Sequence, residues 1–398
     1  MGYPREVPMP WKDSRPMDER ALFVADHVRG RYSFSELCER YDISRKTGYK
    51  WVERFRQAGV QGLAERSRCP LTQPNQVPEA MRRAIIELRS SRRMELGPKK
   101  IQVRLRERYP YQPMPSRTTI YNVLKRAGLI PARRTRRRVP STVSIIDPIR
   151  MPNGLWSADF KGQFLTGDKM WCYPLTVMDH ASRYLLGCQA LPGTRHRDTQ
   201  AAFEKLFRRY GLPERLRTDN GVPFASLGTA GLSKLSIWWV RLGIVPERIE
   251  PGCPQQNGRH ERMHRTLKRA VTHPAAANAA AQQRKFEAFR REYNEQRPHE
   301  ALGQKPPASI YVASPRPYPP KLPQLSYPDY MQTKRVCSSG IIYCNALRVY
   351  VGYVLAGELV GVEPIDDGIW EIHFGPLKLG RLDERSLRIG EDYLTVKL

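Results

Sequence analysis

The sequence lacks three features that would restrict its function. No run of about 18 or more apolar residues occurs along its 398 residues, which argues against a membrane-spanning helix. Its seven cysteines form no Cys-x-x-Cys pair, so we expect reduced thiols rather than a disulfide framework or a zinc module. His27 is the only histidine before His180, which excludes a His₂Cys₂ zinc bundle in the N-terminal region.

Acidic residues are scarce relative to basic ones. Lys and Arg total 67 against 39 Asp and Glu, a formal net charge of +28 with a pI near 10.1. Solubility alone is one reading of high charge, but an excess this large favours a polyanionic partner, because Lys and Arg contacts to phosphates supply most non-specific affinity for nucleic acid. The N-terminus has no apolar segment of a signal peptide, so we expect a cytoplasmic protein.

Apolar periodicity predicts a first helix-turn-helix unit over residues 17–66. Ser44 is a plausible N-cap for the last helix of this unit, because its hydroxyl can accept from a backbone N–H of the first turn. The first turns of a recognition helix meet base edges and phosphates. We therefore expect DNA contacts from Arg45, Lys46, Thr47 and Lys50.

A similar phrase predicts a second helix-turn-helix unit over residues 78–130. Residues 44–49 and 116–121 share the pattern Ser-Arg-x-Thr-x-Tyr, each about a dozen residues after a short helical segment. A solvated helical hairpin is the alternative for either unit alone, whereas two similar units in tandem favour a bipartite DNA reader. The candidate DNA contacts of the second unit are Arg117, Thr118, Thr119 and Asn122.

A dense basic segment follows, in a predicted linker over residues 131–149. Blocks of like charge repel one another and stay extended until they meet an anion. We expect this linker to bind DNA through Arg133, Arg134, Arg136, Arg137 and Arg138.

From about residue 150 the pattern changes from helical to strand-like. Residues 150–312 predict the order βββ-α-β-α-β-α, the layout of an RNase H-like α/β core, closed by an Ala-rich helix over 273–295. A Pro-rich linker over 315–328 leads to strand-like segments in 330–398, which predict a small antiparallel β-barrel. The fold class is thus multidomain: an N-terminal all-α tandem helix-turn-helix, a central α/β RNase H-like core and a C-terminal small antiparallel β-barrel.

Three acidic residues of the core stand in different local frames: Asp159 in a strand, Asp219 at a strand end, and Glu261 near a helix start. Carboxylates from separate segments can together hold hard cations such as Mg²⁺. Two such cations about 4 Å apart can stabilise the attacking and leaving oxygens of a phosphodiester. Each acid alone could equally be a turn cap or a solvated pair, and we assign other acids to turns or a hairpin: Asp168, Asp179, Asp366 and Asp367.

These phrases resemble those of bacterial insertion-sequence transposases of the DDE class, whose core is like that of retroviral integrases. The resemblance covers nearly the whole chain. Its matching phrases are Trp156-Ser157-Ala158-Asp159, Thr218-Asp219-Asn220-Gly221, residues 254–262 (PQQNGRHER) and residues 293–302, with Tyr-Asn-x-x-Arg-Pro-His-x-x-Leu.

The resemblance implies that Asp159, Asp219 and Glu261 are catalytic and ligate two Mg²⁺ or Mn²⁺ ions. Residues 261, 264, 265 and 268 share one helical face, so we expect DNA contacts beside Glu261. Asn257, with Gly258, would let the backbone approach DNA closely. The remaining expected contacts of this helix are His264, Arg265 and Lys268, whereas Tyr293, Arg297, Pro298 and His299 are expected to lock the final helix to the core.

The resemblance also implies a reaction. The protein would bind the terminal inverted repeats of its element, hydrolyse the ends to free 3′-OH groups and join them to target DNA, acting on double-stranded DNA as a homodimer or higher oligomer in the bacterial cytoplasm with the nucleoid. Two alternatives stay open: a catalytically silent DNA-binding repressor, and an RNase H-type nuclease. Metal-dependent cleavage would distinguish a transposase from the repressor. Comparing the cleavage of an RNA–DNA hybrid with that of duplex DNA would distinguish it from the nuclease.

Overall fold

The computed structural model describes residues 16–66, 76–90, 95–130, 151–226, 228–250, 254–345, 347–385 and 393–397. The chain divides into two compact units, Met1–Gln76 and Val77–Leu398. The basic linker that the sequence analysis singled out lies outside the described residues, including Arg133, Arg134, Arg136, Arg137 and Arg138. Among the helices described, none is both long and apolar enough to cross a membrane.

The first unit is a three-helix bundle around a small apolar core. Ser33 caps its second helix in a capping box with Glu36, and Ser44 caps the third by accepting from the Thr47 amide at 3.2 Å. Gly48 lies where a Cβ would be 2.8 Å from the Cys38 sulfur, so the third helix packs closely on the second. The helices are α1 (Pro16–Arg29), α2 (Phe34–Arg40) and α3 (Arg45–Ala58).

The second unit begins with three further helices that repeat this pattern. Ser116 accepts from the Thr119 amide at 3.1 Å, the same cap that Ser44 makes. Ile101, Leu105, Ile120 and Leu124 are almost fully buried between these helices. The helices are α4 (Glu79–Ser90), α5 (Pro98–Arg108) and α6 (Arg117–Arg126).

A six-stranded sheet forms the centre of the second unit. Its path is β2-β3-β1-β5-β6, with β4 paired to β3, and β1 runs parallel to β5 but antiparallel to β3. This agrees with the predicted strand and helix order. The strands are β1 (Leu155–Phe160), β2 (Phe164–Leu165), β3 (Trp171–Asp179), β4 (Leu185–Leu191), β5 (Arg215–Thr218) and β6 (Val245–Arg248).

Helices cover both faces of this sheet. Alternate residues of a strand point to opposite faces, so Trp156 and Ala158 join an apolar cluster with α7 and α8, while Ser157 and Asp159 point to the α9 side. The second apolar cluster joins the sheet to α9 and α10. These helices are α7 (His196–Tyr210), α8 (Lys234–Arg241), α9 (Gly258–Val271) and α10 (Ala279–Glu295).

Two connections differ from the sequence-based expectations. The Ala-rich helix begins at Ala279 rather than at residue 273, because Asn278 caps it by accepting from the Ala281 amide at 2.9 Å. The Pro-rich segment 315–328 is bound to the core rather than a plain linker. The Arg316 guanidinium donates to the carbonyls of Pro213, Leu242 and Gly243 at 2.8–3.0 Å.

The C-terminal region is rich in strands. Four of them form one antiparallel sheet in the order β12-β11-β10-β7, and three form another in the order β13-β9-β8. The pairings that the structure describes do not join the two sheets into one ring, so the predicted barrel is not confirmed. The strands are β7 (Gln332–Arg335), β8 (Ile341–Cys344), β9 (Leu347–Tyr350), β10 (Leu359–Asp366), β11 (Ile369–Phe374), β12 (Leu377–Asp383) and β13 (Val396–Lys397).

Candidate active site

Two of the predicted acids lie at the carboxyl ends of adjacent parallel strands. In the register of β1 and β5, Ser157 is opposite Arg217. Two residues further on, Asp159 and Asp219 therefore come level at the same edge of the sheet. Asp219 follows the last residue of β5, and its Oδ1 accepts from the Gly221 amide at 3.3 Å. The turn after β5 thus orients this carboxylate.

The third acid, Glu261, lies on the first turn of α9. A negative charge there is favourable because the amides of a helix N-terminus carry partial positive charge. Arg217, two residues before Asp219, donates to the Gln256 carbonyl at 3.2 Å and pairs with Glu247 at 2.9 Å. This contact fixes the segment before α9 against the end of β5, and so sets where Glu261 lies.

Asp159 is electrostatically coupled to the two other predicted acids. Burial, together with the charges of Asp219 and Glu261, raises the pKa of Asp159 to about 7, against the opposing charge of Lys161. Like charges raise a carboxyl pKa only when they are close. The charges of Asp219 and Glu261 thus act on Asp159, whose side chain is 19% exposed, while Glu261 is exposed.

A chain of buried hydrogen bonds supports Asp159 from below. Thr176 lies directly opposite Asp159 on β3, and its hydroxyl donates to the Asp159 carbonyl at 3.0 Å. The Nε2 atoms of His260 and His264 both lie 2.6 Å from the same hydroxyl oxygen. Ser157 lies 2.8 Å from His260 Nδ1 and completes the chain.

Counting protons in this network assigns the histidine tautomers. Burial lowers the pKa of His260 to about 3 and the pKa of His264 as well, so both rings are neutral. The Thr176 hydroxyl has one proton, which goes to the Asp159 carbonyl. Both Nε2 atoms must therefore carry protons and donate to Thr176. His264 Nδ1 is then left bare, 3.5 Å from Asp159 Oδ2.

This donor set fits a divalent cation. Three carboxylates offer the oxygen ligands that Mg²⁺ and Mn²⁺ prefer, and their mutual repulsion is what a cation relieves. His260, His264 and Asp159 also have ligand atoms within 4.8 Å of one another. Both ring nitrogens of His260 are engaged in hydrogen bonds, so the bare His264 Nδ1 is the additional candidate ligand atom.

The structure corrects two expectations on α9 and its N-cap. His264 is only 5% exposed and bonds to Thr176, so it does not lie on a cationic face turned to DNA. The helical position that the sequence analysis grouped with Glu261 instead points into the core, because the sheet packs beneath it. Arg265 and Lys268 are exposed as expected, whereas Asn257 is only 6% exposed, too buried for an open DNA contact.

The acids that the sequence analysis assigned to turns or a hairpin have structural roles outside the acidic cluster. Asp179, at the opposite end of the β1–β3 pairing from Asp159, is buried and accepts from the Asn153 and Ser182 amides at 2.8 and 2.7 Å. It stabilises two turns. Asp168 accepts from the Thr166 hydroxyl in the turn before β3, and Asp366 and Asp367 are exposed in the hairpin between β10 and β11.

The predicted DNA contacts of the two readers lie on α3 and α6. Thr47 and Thr119 are half-buried, with hydroxyls 3.0 and 2.9 Å from the capping serines, so each stabilises its helix start. The other predicted side chains are exposed and available to a ligand: Arg45, Lys46, Lys50, Arg117, Thr118 and Asn122.

The residues that follow α10 have mixed roles. Asn294 locks α10 to β4, because its side chain exchanges two hydrogen bonds with the Leu185 backbone at 2.8 and 2.9 Å. Tyr293 is buried against this contact. Arg297 and His299, by contrast, each have a buried nitrogen without a hydrogen-bond partner among the described residues.

Comparison with known families agrees with this geometry. Residues 150–254 and 242–307 match two families described as integrase core domain, residues 47–124 match a homeodomain-like domain, and residues 19–70 match a helix-turn-helix domain. An uncharacterised 39.2 kDa protein of insertion element IS476 from Xanthomonas euvesicatoria is 28% identical over 246 residues, covering 60% of this chain and 66% of the relative. The chain thus matches integrase core and helix-turn-helix domains and is similar to proteins of bacterial insertion elements.

Other relatives match the integrase core in the same way. A 31.7 kDa protein of insertion element IS407 from Burkholderia multivorans is 29% identical over 194 residues, covering 48% of this chain and 67% of the relative. The chain thus spans about two thirds of the length of these curated relatives. The HTLV-2 integrase catalytic core, solved in complex with magnesium, aligns with a TM-score of 0.33 and 16% identity over 41% of this chain and 98% of that one, too low to support an argument.

Proposed function

We propose that this protein is a DNA transposase that cuts the ends of its element and joins them to target DNA. One observation supports the proposal: Asp159 and Asp219 lie at the ends of the adjacent parallel strands β1 and β5, and the charges of Asp219 and Glu261 both act on Asp159. Three carboxylates brought together by separate elements are costly for stability, because each repels the others. Such an arrangement is typical of a site that binds cations for phosphoryl transfer.

Asp159, Asp219 and Glu261 would hold two Mg²⁺ or Mn²⁺ ions, which supply charge stabilisation for the attacking and leaving oxygens of the phosphodiester. The other residues hold these ligands in place. Thr176 fixes the Asp159 backbone from below, with His264 donating to the Thr176 hydroxyl, and the Asn220 side chain donates to the Ile249 carbonyl at 3.0 Å, which fixes the turn at Asp219. Rigid support of this kind keeps the ligand geometry from changing when DNA enters.

The readers and the linker would deliver the DNA. We propose that α3 and α6 contact the terminal inverted repeats through Arg45, Lys46, Lys50, Arg117, Thr118 and Asn122, with Arg265 and Lys268 next to the acids. The linker arginines Arg133, Arg134, Arg136, Arg137 and Arg138 would add phosphate contacts between them. A DNA partner favours the bacterial cytoplasm, with the nucleoid, as the place of action.

The reaction has two steps of the same kind. A water oxygen attacks the phosphorus at the transposon end, the P–O bond to the 3′ oxygen breaks, and that oxygen leaves as a 3′-OH with a proton from solvent. The 3′-OH then attacks a phosphorus of target DNA, and the displaced target strand leaves with a free 3′-OH. Two ends must be joined together, so we propose at least a dimer on DNA.

Cleavage of a labelled duplex that carries the element's own end tests the proposal. We expect nicking by the wild type with Mg²⁺ or Mn²⁺, and none by Asp219→Asn, which removes one charge with little change of shape. Binding of the end should persist in the variant. An RNA–DNA hybrid of the same sequence should be cut poorly, because tandem helix-turn-helix units fit the major groove of B-DNA.

Two outcomes would replace the proposal. Binding without metal-dependent nicking by either protein would favour a repressor. Preferential cleavage of the hybrid would favour an RNase H-type nuclease.

A further inference from the structure

A basic cavity of about 440 Å³ lies beside α9, on a different side of the helix from the acidic cluster. Four separate segments line it: α5 of the second reader, the turn between β3 and β4, the start of α9, and the residues after α10. Its lysine, arginine and histidine side chains are Lys100, Arg183, Arg259, Arg262, Arg297 and His299. None of these belongs to the acidic triad or to the DNA contacts predicted from the sequence.

The charge of this cavity is unbalanced. Five of its lining side chains are Lys or Arg, and Glu300 is the one acid among the lining residues. Glu300 is paired with Lys99, which does not line the cavity, and the charge of Glu300 also favours the protonated form of Lys100. Asp179 and Glu292 are near enough to favour the charges of Arg183 and Arg297, but Asp179 accepts hydrogen bonds from other groups. The five cations of the cavity thus outnumber the three acids that favour their charges.

Several donors in the cavity have nothing to bind. Arg183 Nη1, Arg297 Nη1 and His299 Nε2 are shielded from solvent and have no hydrogen-bond partner among the described residues. Guanidinium nitrogens are always protonated donors, and leaving one buried without an acceptor costs roughly 1–3 kcal/mol or more. An anion that accepts several hydrogen bonds would satisfy these groups together.

The pKa values of the lining groups show the same repulsion. Burial and the charges of Arg297 and Arg262 together lower the pKa of Lys100 to about 8, against the opposing charge of Glu300. Burial also lowers the pKa of His299 to about 3, with Lys100 and Arg297 as further causes. Water could satisfy the unpartnered donors, but it cannot compensate the charge. A bound anion does both.

We propose that this cavity binds a backbone phosphate of duplex DNA. Lys100 belongs to the second helix-turn-helix unit and Arg262 directly follows Glu261 on α9. A phosphate held between them would contact the reader and the catalytic helix at once. The proposal rests on the proposed function only in that the anion is part of DNA.

The position of the cavity explains why DNA is favoured over a free phosphate ion. Its volume lies within the range of sites that take ligands of several to many atoms, so a phosphate and its neighbouring sugar have room. It opens beside exposed residues of α9 that neighbour the acids. A phosphate bound here would help to set the distance between the recognised end and the cut bond.

Two binding measurements on the full chain test this inference, both in EDTA so that no cleavage occurs. The first is thermal unfolding with increasing inorganic phosphate at constant ionic strength. The second is affinity for a duplex of the element's end as a function of salt. The variants are Arg297→Gln and Arg183→Gln, with Arg284→Gln as the matched control. Arg284 is exposed on α10, 13 residues or about 20 Å along the chain direction from Arg297.

We expect phosphate to raise the unfolding temperature of the wild type and of Arg284→Gln, but not of the two cavity variants. In the DNA experiment, each cavity variant should reduce the slope of log affinity against log salt by about 0.9, the loss of one phosphate contact. The reduction should be equal for specific and unrelated duplexes, because a backbone phosphate carries no sequence information.

The other outcomes overturn the inference. Phosphate stabilisation with unchanged salt slopes would make this a site for a free anion. No effect in either experiment would show that the cavity binds no phosphate. Neither measurement depends on nicking. An enzyme that does not nick DNA would therefore contradict the proposed function but would leave this inference intact. If the arginine variants fail to fold, Lys100→Gln removes a charge from a different, half-buried position and is expected to behave in the same way.

Discussion

Helix α9 has two sides of opposite chemistry. Glu261 and Arg262 are neighbours in sequence, but successive residues of a helix are about 100° apart, so they face different surroundings. Glu261 belongs to the acidic cluster above His264, whereas Arg262 and Arg259 line the basic cavity. One helix can thus serve both cation binding and phosphate binding, since separate sides keep the charges from pairing.

The two sides share one physical property: each holds like charges together. On the acidic side, burial and the charges of Asp219 and Glu261 raise the pKa of Asp159 to about 7. On the basic side, burial and Arg297 lower the pKa of Lys100 to about 8. Such repulsion is relieved by a ligand of opposite charge, so the unfavourable electrostatics supports both proposed binding sites.

Breaking the acidic side should have the largest effect. Asp159→Asn or Glu261→Gln should reduce nicking of the end duplex by at least about 10²–10³-fold, the usual loss when one electrostatic stabiliser of the transition state is removed. DNA affinity in EDTA should not fall. Asp168→Asn is the control, because it removes an acid from an exposed turn. Equal losses in the control and the triad variants would contradict the assignment.

The Asp159→Asn substitution should also stabilise the protein when no metal is bound. The pKa of Asp159 is raised from 3.8 to about 7, so its contribution to stability is present at low pH and is lost as pH rises through 7. At pH 8 in EDTA, Asp159→Asn should increase the free energy of unfolding by about 1–3 kcal/mol, discounted for partial exposure. The difference should disappear near pH 4, as measured by denaturant unfolding. A variant less stable at pH 8 would mean that the charge of Asp159 is already compensated.

Loosening the support of the acidic side should have an intermediate effect. His264→Ala removes the ring between Thr176 and Asp159, and we expect a metal requirement about 10–100-fold higher. Nicking should return towards the wild-type rate at saturating Mn²⁺, since the three carboxylates remain. The control is His273→Ala, an exposed histidine beyond the end of α9. A rate that stays low at all Mn²⁺ concentrations would show a role other than positioning.

Breaking the basic side should change binding and leave metal use intact. Arg262→Gln should weaken DNA about threefold to tenfold near 0.15 M salt and reduce the salt slope by about one. Its Mn²⁺ requirement should equal that of the wild type. A changed metal requirement in this variant would show that the two sides of α9 are not independent.

The smallest effect should come from Arg265→Gln. Arg265 is exposed on the side of Glu261 and lies outside the basic cavity's cluster of buried donors. Arg265 does not line the cavity in which we propose that a phosphate binds, so we expect only about a twofold loss of DNA affinity from this screened charge. A loss larger than that of Arg262→Gln would indicate that DNA crosses the acidic side instead.

Much of this architecture was predictable from the sequence because it depends on local patterns. The acids and the serine caps at 44 and 116 each sit in a short phrase whose chemistry does not depend on distant residues. The order of the strands and helices along the chain followed from the periodicity of the apolar residues. His264 was misplaced for the opposite reason: its spacing from Glu261 allowed either an exposed or a buried position, and only the packing of α9 on the sheet decides.

Other features could not have been read from the sequence. Thr176 has no motif, and its role comes from lying opposite Asp159 in the β1–β3 register. The basic cavity needs α5 to lie beside α9 and the residues after α10, which are far apart in sequence. The i, i+4 spacing of His260 and His264 was a visible signal, because two histidines on one helical face suggest a shared contact.

Binding of Mn²⁺ to the full-length protein on the end duplex, followed by electron paramagnetic resonance, tests the central claim most directly. The wild type and Asp168→Asn should bind the ion saturably and alike, whereas Asp159→Asn, Asp219→Asn and Glu261→Gln should each weaken binding by at least tenfold. Equal Mn²⁺ affinity in all five proteins would contradict the claim that these three carboxylates form one cation site.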